Sequence, residues 1–208
     1  MEALLTAVVF AFFARTFVVQ AFQIPTPSME PAVIVGDHLL VNKWIYSSNP
    51  MTLLAQREVR RGDIVVFRSP EDPRRDFVKR CIGLPGDRVE LVDKQLRING
   101  MAQDESSYVF HSDPRTYPRA PFLPDALRLR DNFGVFSVPS ASYFCLGDNR
   151  ENSDDSRFWG VVPASAIKGR ALAVYWSGAP APADIGFVGE LERIWNVTRW
   201  ERCLRWVR

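Results

Sequence analysis

The sequence predicts a mainly β domain of antiparallel strands, preceded by a membrane-spanning helix and interrupted by a minor lobe. Three observations predict this class. Short β-rich runs recur along the chain, turn-forming pairs separate them, and an almost unbroken apolar stretch precedes them. No internal repeat is present, and no long helical periodicity appears between Phe22 and Glu190.

The first element is the apolar segment. From Ala3 to Phe22 only Thr6, Arg15, Thr16 and Gln20 are polar. Twenty helical residues span roughly 30 Å, about one hydrocarbon core. The uninterrupted part, Ala3 to Ala14, covers about 18 Å, which places Arg15 near an interface where its guanidinium can snorkel. Residues 1–22 therefore read as a membrane anchor. A buried soluble helix competes poorly, because nearly every face is apolar. A cleavable signal peptide also competes, since Val19-Gln20-Ala21 resembles a small-x-small site, but no basic residue precedes the apolar run. An interfacial amphipathic helix is the third alternative. Only Met1 and Glu2 precede the segment, so the positive-inside rule gives no orientation.

Strands are expected at His38 to Tyr46, Asp63 to Arg68, Phe77 to Leu84, Arg88 to Val92, Gln95 to Ile98, Tyr143 to Leu146 and Lys168 to Tyr175. Asp93-Lys94 suits a tight hairpin, and Asn99-Gly100 and Pro85-Gly86 are turn signals. Residues 23–100 and 138–187 form the β domain. Residues 101–137, rich in Pro, Asp and Arg, read as an inserted lobe outside the core. Ser177 to Ile185 reads as a linker or loop. The tail, 188–208, carries Trp195, Trp200 and Trp206 among five arginines from Arg193 onward. Trp200, Cys203, Leu204 and Val207 fall on one helical face, suited to a membrane interface or to docking on the protein's own domain.

Composition narrows the function. A chain of 208 residues builds one sizeable core, or a core with a smaller lobe. A net charge of +2 argues against nucleic acid as a partner. Cys81, Cys145 and Cys203 lack CxxC spacing and nearby histidines, so neither a metal nor another cofactor is expected. Cys81 and Cys145 read as small core residues, with a disulfide between them as the alternative.

Three patches could carry chemistry. The stretch Ile24 to Pro31, IPTPSMEP, holds Ser28 among three prolines that fix φ, making a stiff, non-helical segment. Taken alone, it is equally a rigid juxtamembrane linker. A nucleophilic serine needs a base. His38 reads as a surface residue and His111 lies in the irregular lobe, so nothing supports a Ser-His-Asp triad. Lys79 is the other option. On a strand it shares a face with Phe77 and Cys81, where apolar neighbours would favour its neutral form. Arg80 then points the opposite way and needs its own partner. A snorkelling lysine at a sheet edge is the plain alternative. The third patch, Gly147 to Gly160 (GDNRENSDDSRFWG), reads either as a solvated loop or as a polar network that orients the lysine.

In order and spacing, these patches resemble the bacterial type I signal peptidases. IPTPSMEP with the following GDHLLVNK is similar to the family's nucleophile box. RRGDIVVFRSPEDPRRDFVKRCIGLPGD contains its lysine-arginine pair, and GDNRENSDDSRFWGVVP is similar to its last box. The similarity covers most of the chain and is weak only across Met101 to Ser137. It implies an antiparallel β fold of the signal-peptidase and LexA-like kind and a Ser/Lys dyad. Ser28 would be the nucleophile and Lys79 the general base and later acid. The Ser28 backbone N–H and the Thr26 hydroxyl would stabilise the oxyanion. Ser153 would hydrogen-bond the Lys79 amine, and Asp155 and Arg157 would pair with Arg80.

The resemblance also implies the substrate: signal peptides of secretory preproteins, cleaved after a small-x-small motif. The positions matching pocket-lining ones are Phe22, Ile24, Pro25, Met29, Val33, Leu39, Val66, Phe77 and Val78. It implies the bacterial cytoplasmic membrane, with membrane lipid as a contact and the catalytic domain on the extracytoplasmic side. Two other functions are compatible with the same patches. One is a narrower Ser/Lys protease, such as a plasmid-transfer peptidase or a self-cleaving regulator. The other is a tethered β domain that only binds peptides.

Overall fold

The computed structural model describes residues 6, 19–46, 56–179 and 197–207. Twelve strands lie within them: β1 (Val19–Gln23), β2 (Asp37–Asn42), β3 (Ile64–Arg68), β4 (Asp76–Gly83), β5 (Arg88–Val92), β6 (Gln95–Ile98), β7 (Met101–Ala102), β8 (Phe133–Ser137), β9 (Ser142–Leu146), β10 (Val162–Pro163), β11 (Ile167–Ser177) and β12 (Arg205–Trp206). All seven expected strands are among them. The first ends early, at Asn42, because the Asn42 side-chain oxygen accepts from the backbone N–H groups of Trp44 and Ile45 at 2.9 and 3.2 Å and turns the chain.

The chain forms two compact units. One comprises residues 19–26, 33–46, 56–57, 169–179 and 197–207, the other 27–32 and 58–168. In the first unit, β1 pairs antiparallel with β2, β2 with β11, and β11 with β12. Buried and half-buried residues alternate strictly along β2, the pattern of a sheet with one covered face. Val19 to Phe22, the end of the expected anchor, are thus strand rather than helix, because their backbone is taken up by the β2 ladder. The earlier parts of that anchor, at 1–5 and 7–18, lie outside the described residues. Among the described residues, no helix is long and apolar enough to cross a membrane.

The described tail is also not the helix expected. Trp200–Arg202 makes one 3-10 turn, Leu204 has φ of 59°, and β12 pairs onto β11. Arg202 reaches Asp37 Oδ2 at 2.6 Å and Arg199 donates to the Val35 carbonyl at 2.9 Å, so the tail docks on its own unit. Trp200, Leu204 and Trp206 stay exposed while Val207 is buried.

The second unit carries two sheets. One is antiparallel, with β4 between β3 and β9 and with β10 beyond β9. The other runs β7-β6-β5-β8. Its hairpin turns are Asp93-Lys94 and Asn99-Gly100, all four with positive φ, the geometry that matches strand twist in two-residue loops. Ile82, Phe144 and Leu146 of the first sheet share a core with Val89, Leu91, Leu96 and Ile98 of the second, and Phe133 and Phe136 pack against it. The expected lobe at 101–137 therefore does contribute to the core. Its last residues form β8, which pairs with β5, and the two phenylalanines of β8 pack against the cluster. Between these elements lie a short helix, Asp125–Arg128, and irregular chain.

Candidate active site

Ser28 sits on a single 3-10 turn, Pro27–Met29, closed by the Glu30 N–H donating to the Pro27 carbonyl at 3.1 Å. This stretch was expected to be non-helical. One turn forms because Pro27 stands at its first position, where a fixed φ suits a helix and no N–H is required. The turn is buried, with Ser28 7% and Met29 1% exposed.

Lys79 lies on β4. Its partner across β3 is Val65, and two residues along, Cys81 faces Cys145 of β9. Cross-strand partners share a face, so Lys79 emerges among Phe77, Val65, Cys81 and Cys145. The Phe77 ring centre is 5.8 Å from the Lys79 nitrogen, and Phe77 is itself backed by Phe67 and Trp159. Both cysteines are free and buried. Lys79 is 4% exposed, and its Nζ lies 2.7 Å from Ser28 Oγ. Burial drives its ammonium down to about 8, although the Asp155 and Asp154 carboxylates pull the other way. A hydroxyl and a buried amine within proton-transfer reach can act as nucleophile and base.

The last patch organises this pair. Asp155 is wholly buried and caps the short helix Ser156–Trp159. It accepts from the Gly147 N–H at 3.0 Å, from Ser153 Oγ at 2.7 Å and from two Arg157 nitrogens at 2.8 Å each. Burial alone would raise the Asp155 carboxyl, but Arg157 and the other donors hold it below its usual value. Arg157 also donates to the Arg130 and Arg150 carbonyls at 2.7 Å each. The Ser153 hydroxyl was expected to meet the Lys79 amine. It donates to Asp155 Oδ2 instead, while the Lys79 amine is engaged with Ser28 Oγ.

Arg80 has a different partner from the one expected. It makes a bidentate pair with Asp148, at 2.7 and 2.6 Å, and donates to the Gly62 carbonyl at 2.9 Å. The register explains this. Arg80 stands opposite Leu146, so Asp148, two residues further on, returns to the same face, while Asp155 lies toward Lys79. Asp155 and Arg157 pair with each other.

Two further residues of the patch bear on Ser28 and were not singled out from the sequence. The Asn149 backbone N–H donates to the Ser28 carbonyl at 3.1 Å, and its side-chain amide donates to the Pro27 carbonyl at 3.3 Å. A Cβ on Gly147 would lie 2.2 Å from Ser153 Oγ and 2.5 Å from the Ser28 carbonyl oxygen, so only glycine fits there. The sequence signal was present, as both belong to the GDNR run that closes β9, but nothing in it says which carbonyls they meet.

The expected pocket positions divide by burial. In the second unit, Met29 and Val66 are buried, while Phe77 and Val78 are half-buried. In the first unit, Ile24, Val33 and Leu39 are buried, Phe22 is half-buried, and Pro25 and Thr26 are exposed.

Comparison with known proteins gives the family. The family described as signal peptidase, peptidase S26, matches residues 1–176. The chain belongs to this signal peptidase family. It is thus a serine peptidase and a hydrolase. Signal peptidase I of Pseudomonas fluorescens is 37% identical over 196 residues, covering 81% of this chain and 68% of that protein. Signal peptidase I of Leptolyngbya laminosa is 39% identical over 177 residues, covering 82% and 75%. A crystal structure of a signal peptidase I from Enterococcus faecalis V583 is 30% identical, covers 55% of this chain and 97% of that one, and superposes with a TM-score of 0.40.

Proposed function

We propose that this signal peptidase removes N-terminal signal peptides from secretory preproteins at a bacterial cytoplasmic membrane, cleaving after a small-x-small motif with a Ser28/Lys79 dyad. The observation that carries the reading is the 2.7 Å approach of a buried Lys79 nitrogen to Ser28 Oγ, with the ammonium held down to about 8. A neutral Lys79 takes the Ser28 proton as Oγ attacks the scissile carbonyl carbon. The Ser28 N–H and the Thr26 hydroxyl hold the oxyanion. The Lys79 ammonium then gives its proton to the leaving amine, which leaves an acyl-enzyme on Ser28. Water, deprotonated by Lys79, attacks that ester, and the proton returns to Ser28 as the acid departs. Asp155, fixed by Arg157 and Ser153, sets the field at the lysine.

Substrate selection is assigned to apolar side chains in each unit: Met29, Val66, Phe77 and Val78 in the second, and Phe22, Ile24, Pro25, Val33 and Leu39 in the first, with Met29, Val66, Ile24, Val33 and Leu39 buried. Apolar floors of this kind admit alanine and exclude large side chains, while an extended substrate main chain pairs with a strand edge. The apolar segment at 1–18 and the exposed Trp200, Leu204 and Trp206 suit a membrane surface, where enzyme and signal peptide share a two-dimensional phase.

The test is incubation of the full chain in detergent with a preprotein bearing an Ala-x-Ala site. Cleavage is expected immediately after the second alanine, and Ser28→Ala abolishes it with the fold intact. Binding without cleavage, or full activity of Ser28→Ala, would remove the dyad.

A further inference from the structure

Glu105 lies in the stretch that reads from sequence as an irregular lobe, yet it is only 8% exposed. Its carboxylate receives both terminal nitrogens of Arg150, Nη1 at 2.9 Å on Oε2 and Nη2 on Oε1. Tyr108 donates its hydroxyl to Glu105 Oε1 at 2.9 Å and lays its ring over the Arg80 guanidinium, 4.2 Å from carbon to ring centre. The local backbone supports this, since the Tyr108 and Val109 N–H groups both donate to the Glu105 carbonyl.

Arg150 belongs to the turn that grips the nucleophile. Its Nε donates to the Gly147 carbonyl at 3.3 Å. The main chains at 110 and 148–150 bridge each other: the Phe110 N–H donates to the Asp148 carbonyl at 2.9 Å, and the Arg150 N–H to the Phe110 carbonyl at 3.1 Å. Between these bonds sits Asn149, whose backbone and side chain hold the Ser28 and Pro27 carbonyls. A continuous set of bonds therefore runs from Glu105 through Arg150 to the backbone of Ser28. Residues 147–150 are clamped from the outside by 105–110.

We propose that Glu105 is a positioning residue for Ser28, acting through Arg150 and the 147–150 turn. This rests on Ser28 being the nucleophile. Glu105 touches neither reacting atom. The route reaches the serine backbone through Asn149; the same turn also meets Asp155 and Arg157 through the Gly147 N–H and the Arg150 carbonyl, but the charges that act on the lysine are Asp155, Asp154 and Arg157 and do not include Glu105. Removing the carboxylate charge leaves the two buried terminal nitrogens of Arg150 without their anionic partner, so the turn shifts and takes the Ser28 carbonyl with it.

The experiment measures kcat and KM on an Ala-x-Ala preprotein across about pH 6 to 10, with thermal unfolding, for the full chain and for Glu105→Gln, Leu96→Ala and Ser28→Ala. Glu105→Gln lowers the high-pH plateau of kcat by about tenfold or more, the scale of a small misplacement of a reacting group, with KM and the pH midpoint unchanged. Leu96→Ala, in the hydrophobic core, lowers Tm and leaves the plateau alone. A Glu105→Gln enzyme that only loses Tm, or that moves the pH midpoint at full plateau, overturns the proposal. Should Glu105→Gln fail to fold, Tyr108→Phe removes one donor to Glu105 and keeps the ring; a plateau fall of about two- to fivefold is expected, and an intact plateau overturns the proposal. Cleavage by Ser28→Ala defeats the nucleophile itself and this inference with it. An inert Ser28→Ala beside an unaffected Glu105→Gln defeats this inference alone.

Discussion

At the scale of single residues, the site is a balance of charges around one nitrogen. Burial pushes the Lys79 proton off, while Asp155 and then Asp154 hold it on. These two carboxylates are not equivalent. Asp155 is wholly buried and committed to Arg157, Ser153 and Gly147, whereas Asp154 is exposed. Asp154→Asn therefore removes an attraction for the ammonium without breaking the network. Less attraction means more neutral lysine at a given pH. The midpoint of the rise of kcat/KM with pH, expected near 8, moves down by roughly a few tenths of a pH unit, since a solvent-facing charge is well screened. A pH–rate profile of the two enzymes checks this, and an upward move would contradict it. At this scale the sequence was informative about Ser28 and Lys79 and less so about their neighbours. Strand alternation already turned Arg80 away from Lys79. Which carboxylate it met depended on the Arg80–Leu146 register, a long-range fact that no local pattern carries. Glu105 escaped notice for the same reason: its partner Arg150 is 45 residues away.

At the scale of elements, turn chemistry made the strands legible. Asp93-Lys94 and Asn99-Gly100 supply positive φ where two-residue hairpins need it; β5 and β6 fell as expected, while β7, after the second turn, lies in the stretch read as lobe. The lobe at 101–137 was harder because Pro and Arg mask its ending, FGVFS. There Phe133 and Phe136 pack on Phe144, at 5.4 and 5.7 Å between ring centres, and close the core that holds β9. Phe136→Ala should then destabilise the second unit. Phe136 is half-buried, so the loss is about 2 kcal/mol, below the range for a fully buried phenylalanine. Urea unfolding of the variant measures it. Val135, exposed on the same strand, offers the contrast: Val135→Ala should change stability by less than about 0.5 kcal/mol. The tail erred in the opposite direction. Its helical spacing of apolar residues was genuine, but pairing of Arg205 and Trp206 with β11 and the Arg202–Asp37 ion pair outweigh local preference.

For the molecule as a whole, an ammonium buried in the core is a destabilisation that persists until Lys79 loses its proton. In the unfolded chain Lys79 keeps its ordinary value near 10.5, while the folded protein holds it at about 8. At pH 7 both states carry the proton, and the folded state carries it at a penalty of about 3 kcal/mol. Between about 8 and 10.5 the unfolded state binds the proton and the folded state does not, so this contribution makes stability rise with pH through that window. Above it neither state is protonated and the penalty is gone. Lys79→Met keeps the stem and removes the titration. The variant should therefore be inactive yet more stable than the parent at pH 7, by up to about 3 kcal/mol, less whatever Asp155 loses when its neighbouring cation goes. The gap should close as pH rises from about 8 to 10.5. Urea unfolding of both proteins across that range reads it directly, and subtraction cancels the other lysines. A variant less stable at pH 7, or a gap that ignores pH, would mean that Lys79 is not held neutral by burial, and the base in the proposed mechanism would have to be sought elsewhere.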